Sequence, residues 1–241
     1  MNESASPRED GVDRVVGETL AFIRRRGYLA GERLPSERDF AERFSVSRGA
    51  VREALTKLET MRIIERRASS GIFLGREPET ASLEALVLTH DLGIPLDERD
   101  IHDSMEVRRI LEVQAIRLAC ARRTEADMAA LDAVLDETAS AVAAGLSMAA
   151  LDYRFHMAVF RATQNTILLR VGNPFYMLSR QRRENFFRDF DRARVSQGQH
   201  CAITEAIRQR DADAAERLMS DHIGRVEQHY LALTADSHLT G

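Results

Sequence analysis

Long apolar runs are missing from this chain. Nowhere in its 241 residues does a run approach the ~18–20 apolar residues needed to span a bilayer, which excludes helical membrane spans. Cysteine is scarce. Cys120 and Cys201 are the only two and both fall in helical patterns, which excludes a disulfide framework and points to a reducing compartment. Lysine is nearly absent, with Lys57 alone, so arginine carries the basic charge. The opening MNESASPRED lacks the basic and apolar regions of a secretory signal. These absences lead to the expectation of a soluble cytoplasmic protein.

Charge of one sign is lacking too: the formal net charge is only -4. Its distribution is uneven. Residues 24–76 hold 13 basic against 7 acidic side chains, while residues 79–241 hold 19 basic against 25 acidic. The first part could meet phosphate and the second should not. The length and the 44% hydrophobic content suffice for two compact domains.

Residues 34–58, LPSERDFAERFSVSRGAVREALTKL, organise the first part. Pro35 ends what precedes it, and Ser36 with Asp39 forms a shortened capping box for a helix with Phe40, Ala41 and Phe44 on its apolar side. Ser45-Val46-Ser47 is a polar break, with Ser47 placed to cap a second helix. In that helix Val51, Leu55 and Leu58 form one buried face, while Arg48, Arg52 and Thr56 lie on another. This is the pattern of a helix-turn-helix. After it, residues 61–67 read as helix end then strand, Ala68-Ser69-Ser70-Gly71 as a turn, and Ile72-Phe73-Leu74 as a returning strand, which makes a wing with Gly71 at its tip.

The run from Leu34 to Glu59, followed by the hairpin with SSGIFLG, resembles the N-terminal domain of the GntR family of bacterial transcription regulators over roughly residues 10–76. Met61 departs from the family, which has glycine at that helix end. The resemblance implies that Arg38, Ser47, Arg48, Arg52 and Gly71 contact DNA. Arg48 and Arg52 would face the major groove, where arginine can fork onto guanine O6 and N7. Gly71 would enter the minor groove. Arg66 and Arg67 would at most touch phosphate.

Along the rest of the chain, residues 1–10 read as a disordered tail and 11–76 as the winged helix-turn-helix domain, whose first helix runs from Val12 to Arg26. Residues 77–80 read as a linker, and 81–241 as an all-α bundle of six or seven helices. Leu83, Leu86 and Val87 begin one helix. Gly93-Ile94-Pro95 breaks the chain, with Asp97 or Asp100 capping the next. Thr124 and Asp211 are further caps. Asn173-Pro174 should kink or restart the helix spanning 167–187. Tyr153, Phe155, Phe186, Phe187 and Phe190 read as core. The expected fold class is therefore mainly α, with one small β-hairpin.

In the bundle, Asp152 and His156 lie at i and i+4 and share a helix face. His200 and His222 stand at similar distances before and after the tight Gln209-Arg210-Asp211 turn, so they should meet at similar heights on antiparallel helices. Three imidazoles and a carboxylate could hold zinc first of all, or nickel, iron or manganese. Spacing alone leaves another reading open, in which Asp152–His156 is a surface pair and each histidine is solvated or satisfied in a core. His90, His102, His229 and His238 show no such geometry.

The strings EVRRILEVQAIRLAC, LDYRFHMAVFRATQN and QHCAITEAIRQRDADAAERLMSDHI are similar to the FCD effector domain of FadR-type GntR regulators, over roughly residues 80–235. The resemblance implies a divalent metal on Asp152, His156, His200 and His222, and a small organic acid completing its coordination. Arg108, the arginine of the R-x-x-L-E pattern, would pair with that acid, although an i,i+4 ion pair with Glu112 is the alternative. Asn165 matches a pocket asparagine, or caps the following helix. A homodimer on a near-palindromic operator is expected. The competing readings are a metal-dependent enzyme tethered to DNA and a DNA-binding dimer whose metal is purely structural.

Overall fold

A computed structural model describes residues 7–76, 80–92 and 98–239. Most of the proposed linker, the Gly93-Ile94-Pro95 break, the Asp97 cap and the first six residues lie outside that set. The chain forms two compact units, divided between Pro95 and Leu96.

The first unit begins with α1 (Pro7–Arg26), which starts inside the stretch read as a tail. Next come α2 (Glu37–Phe44) and α3 (Arg48–Thr60). The capping box is present: Ser36 Oγ accepts from the Asp39 amide, and Asp39 accepts from the Ser36 amide at 3.0 Å. Ser45 turns the chain with a left-handed φ of 55°, and Ser47 accepts from the Ala50 amide at 3.2 Å. Phe40, Val51, Leu55 and Leu58 are fully or almost fully buried with Val15 and Val16 of α1, so the predicted seam is the core. Met61 stays right-handed at the end of α3, and the left-handed residue is Arg62, at φ 59°. The missing family glycine is thus replaced by a strained arginine one position later.

Strands β1 (Ile64–Arg67) and β2 (Gly71–Leu74) pair antiparallel, with Ile64 opposite Leu74 and Arg67 opposite Gly71. Residues 31–34 add a short third edge. Leu34 N–H donates to Ile72 O at 2.8 Å and Leu74 N–H to Glu32 O at 2.9 Å, which fixes Arg33 against the wing. Helix α4 (Leu83–Asp91) packs Leu88 on this core, as does the following Leu92. Residues 83–91, expected in the helical bundle, thus pack with the first unit.

The second unit is all helical among its described residues: α5 (Glu98–Arg122), α6 (Glu125–Ala143), α7 (Ala149–Ala162), α8 (Thr166–Leu178), α9 (Arg180–Phe186), α10 (Phe190–Arg208) and α11 (Ala212–Leu239). Thr124 and Asp127 form a second capping box, and Asp211 Oδ1 accepts from the Ala214 amide. Helix α7 is buried along nearly its whole length, with neighbours that include α5, α6 and α8. Helices α10 and α11 pack together and are joined by the tight turn at Arg210. The restart expected at Asn173-Pro174 falls later. Helix α8 runs through Pro174 to Leu178, and α9 begins at Arg180. Arg183 supplies the reason, because its Nη1 takes the Tyr176 carbonyl at 2.9 Å and the Ser179 hydroxyl at 3.2 Å at the point where helical bonding stops. No helix among the described residues is long and apolar enough to cross a membrane.

Candidate metal centre and nucleic-acid interface

Helix α7 presents Asp152 and His156 one turn apart, α10 presents His200, and α11 presents His222; all four are buried. Their ligand atoms converge. His222 Nε2 lies 3.3 Å from both His200 Nε2 and His156 Nε2. Asp152 Oδ1 lies 3.4 Å from His200 Nε2 and 3.8 Å from His156 Nε2. Neighbouring ligands around a first-row metal ion, at bond lengths of about 2.0–2.2 Å, stand roughly 3.0–3.6 Å apart. The donor set suits such an ion, with three of these distances inside that range and the Asp152–His156 distance slightly beyond it.

The outer nitrogens make the fit chemical as well as geometric. His156 Nδ1–H donates to Glu112 Oε2 at 2.7 Å, and His222 Nδ1–H donates to Gln199 Oε1 at 2.9 Å. Arg225 Nε also donates to that Gln199 oxygen, at 3.3 Å, which fixes the amide's orientation. Each Nδ1–H thus has an acceptor, which leaves Nε2 as the ring atom turned toward the cluster. His200 Nδ1 has no hydrogen-bond partner among the described residues; its ring stacks on Phe155, with centroids 3.8 Å apart. Burial first, then the neighbouring imidazoles and the Arg108 and Arg225 charges, push His200 and His222 well below the usual imidazole range. A neutral imidazole is the form of these two side chains that can bind a cation.

Sequence reasoning named Glu112 only as a possible partner of Arg108. It is fully buried and shared three ways: with His156, with Arg108 Nε at 2.9 Å, and with the Tyr176 hydroxyl. Burial alone would raise its pKa, but His156 and Arg108 outweigh that and hold the carboxyl below its ordinary value. Arg108 also donates to Tyr176 Oη at 3.0 Å. The ion pair and the pocket role of Arg108 are not exclusive. The same guanidinium lines a cavity of about 20 Å³ with Asp152, Arg183, Phe186, Phe187 and His222. Phe186 and Phe187, read from sequence as core, are buried but form the wall of this cavity, and Phe190 is half exposed. Asn165 does not line it. Its Oδ1 accepts from the Ile167 and Leu168 amides at 3.1 Å each, the capping role the sequence had left open.

In the first unit a cleft between the helix-turn-helix and the wing is lined by Arg33, Arg38, Arg48, Arg66 and Arg67, with Ser36, Ser69, Gly71 and a single acid, Glu37. Arg38, Ser47, Arg48 and Arg52 are all exposed. Gly71 has φ +114°, and a Cβ there would meet Arg33 Nε at 3.0 Å. Arg66 and Arg67 are partly committed to Glu59 and Glu65. Arg33 was not singled out from the sequence, since only the edge pairing of residues 31–34 places it here.

The sequence matches the family described as "Bacterial regulatory proteins, gntR family" over residues 12–74 and the "FCD domain" over residues 103–225. The chain belongs to the GntR family. It is 30% identical over 207 residues to the galactonate operon transcriptional repressor of Escherichia coli K12, covering 85% of this chain and 90% of that protein. It is also 30% identical over 221 residues to a putative L-lactate dehydrogenase operon regulatory protein of the same organism, covering 89% and 84%. Among solved structures, a Streptococcus agalactiae GntR protein is similar at 26% identity and TM-score 0.50, covering 90% of this chain and 99% of that one. This protein is thus a DNA-binding transcription regulator with an FCD domain, and its family is one of regulators rather than enzymes.

Proposed function

We propose that the protein controls an operon by coupling operator affinity to a small carboxylate bound at a divalent metal in the second unit. Asp152, His156, His200 and His222 hold the metal, with zinc first among the candidates for three nitrogens and one oxygen. Arg108, at the cavity wall beside His222, receives the carboxylate. Two relatives are named for operons of galactonate and L-lactate dehydrogenase, and galactonate and lactate are both hydroxycarboxylates. The cavity has room for little more than a water, so an organic acid enters by displacing solvent and side chains.

Arg38, Ser47, Arg48, Arg52 and Gly71 form the DNA-reading surface. Arg48 and Arg52 stand in the major groove and Gly71 at the minor. Two copies of the chain on a near-palindromic operator would place two such surfaces one helical turn apart. The ligand must bind one conformer of the dimer more tightly for the operator to feel it. The observation that carries the reading is the meeting of three inward Nε2 atoms and one carboxylate oxygen beside an arginine-lined cavity. The test is metal analysis of purified protein, then a thermal-shift screen of small hydroxycarboxylates on zinc-loaded and chelated protein, then operator titration with each hit. A hit that stabilises only the metal-loaded form and changes operator affinity supports the reading. Equal stabilisation without metal, or an unchanged operator affinity, refutes it.

A further inference from the structure

Resting on the reading that Arg52 contacts bases, we propose that Glu37 is a positioning residue for DNA recognition: it clamps one edge of the Arg52 guanidinium so that the opposite edge alone is offered to a base.

Glu37 is the first residue of α2, where the helix dipole favours a negative charge, and its side chain is three-quarters buried. Arg52 lies one turn into α3 and its side chain is 62% exposed. A single oxygen, Glu37 Oε2, accepts from Arg52 Nε at 3.3 Å and from Nη2 at 3.1 Å. That bond consumes the side-on edge of the guanidinium. The end-on edge, Nη1–H with the second Nη2–H, is left, and this parallel pair matches guanine O6 and N7. The backbone of Arg52 is restrained independently: its carbonyl accepts from the Thr56 hydroxyl at 2.8 Å and from Arg66 Nη2 of β1 at 3.1 Å. A long, otherwise mobile side chain is therefore held at both ends before DNA arrives, which reduces the entropy lost on binding.

Charge gives Glu37 a second effect. It is the one acid in a cleft with five arginines. A carboxylate there repels phosphate and weakens binding to any sequence, while the base contact it organises is made only at the right one. Specificity, the ratio of the two, rises on both counts.

The test uses the full-length dimer, an operator recovered by in vitro selection with the wild-type protein, and a panel of operators each changed at one base pair. Fluorescence anisotropy gives affinities over a salt series for wild type, Glu37→Ala, Glu37→Gln, Arg52→Ala and the Glu37→Ala/Arg52→Ala pair. Arg52→Ala loses discrimination at one base pair in each half-site. Glu37→Ala should lose most of its discrimination at that same pair, about tenfold, and bind unrelated DNA more tightly with a salt slope steeper by about one ion. The double variant should be no worse at that pair than Arg52→Ala. Glu37→Gln keeps an acceptor but no charge, so it should retain the base preference while gaining non-specific affinity. Full discrimination by Glu37→Ala at the pair that Arg52→Ala has lost would overturn the clamp. Loss of the base preference in Glu37→Gln with unchanged non-specific binding would also count against it. If Arg52→Ala changes no base preference, the base-reading role of Arg52 fails and the inference falls with it.

Discussion

Replacing Glu112 by glutamine tests how the proposed metal centre is held. The carboxylate receives three donors on two oxygens: His156 Nδ1–H on one, Arg108 Nε–H and the Tyr176 hydroxyl on the other. Glutamine has one acceptor oxygen and two N–H groups, so it cannot serve all three. With its oxygen toward Arg108, its amide nitrogen faces His156 Nδ1, and His156 must move its proton to Nε2, which points into the ligand cluster. With its oxygen toward His156, a donor faces the buried guanidinium instead. The first arrangement costs a metal ligand; in both, Arg108 loses its buried counter-charge, a change of about 3 kcal/mol. Outer hydrogen-bond partners of metal ligands contribute about 10–100-fold in affinity. The expectation for Glu112→Gln is therefore zinc affinity lower by about one to two orders of magnitude, by competition with a chromophoric chelator. In chelated full-length protein, melting of the second unit should fall by roughly 6–12 °C. Zinc affinity within twofold of wild type would show that His156 is oriented without Glu112 and would refute the reasoning.

Three further outcomes follow from single contacts. Asn165→Ala removes the cap of α8 and should cost about 1 kcal/mol of stability in urea, with no change in ligand-induced stabilisation; a lost ligand response at unchanged stability would place Asn165 in the pocket instead. Gly172→Ala puts a Cβ 2.7 Å from Phe160 Cζ; overpacking of about 1–3 kcal/mol outweighs a helix-propensity gain of about 1, so a more stable variant would contradict the packing. Asp39 accepts from the hydroxyl and amide of Ser36, and these bonds, with Arg38 and Arg43, hold its pKa below the ordinary value. A depressed carboxylate contributes stability above its unfolded pKa, near 3.8, and loses it as pH falls through the lower folded value. Asp39→Asn should therefore flatten the acid limb of the first unit's stability below about pH 4; an unchanged limb would show that the capping carboxylate contributes nothing.

What could be read without coordinates was whatever is periodic or punctuated. The Val51, Leu55 and Leu58 seam, the Ser36, Ser47 and Thr124 caps, and the 152/156 spacing are all local, and each reappears in place. The equal reach of His200 and His222 from one turn was legible because α10 and α11 are antiparallel neighbours, so counting residues measures height. The rest depends on chain segments far apart in sequence. Glu112 meets His156 across 44 residues and Tyr176 across 64, and no spacing announces a three-way carboxylate. Arg33 enters the arginine-lined cleft only because residues 31–34 pair with the wing edge. Phe186 and Phe187 read as core because apolar periodicity does not distinguish a side chain packed on protein from one packed on a cavity. The helix break expected at Pro174 came at Ser179, because proline costs a helix one hydrogen bond, whereas Arg183 offers the Tyr176 carbonyl a better partner outside it. Sequence pattern thus identifies which groups can act. Which of them are held in place depends on carboxylates whose partners lie far off in sequence, Glu112 on His156 and Tyr176 and Glu37 on Arg52.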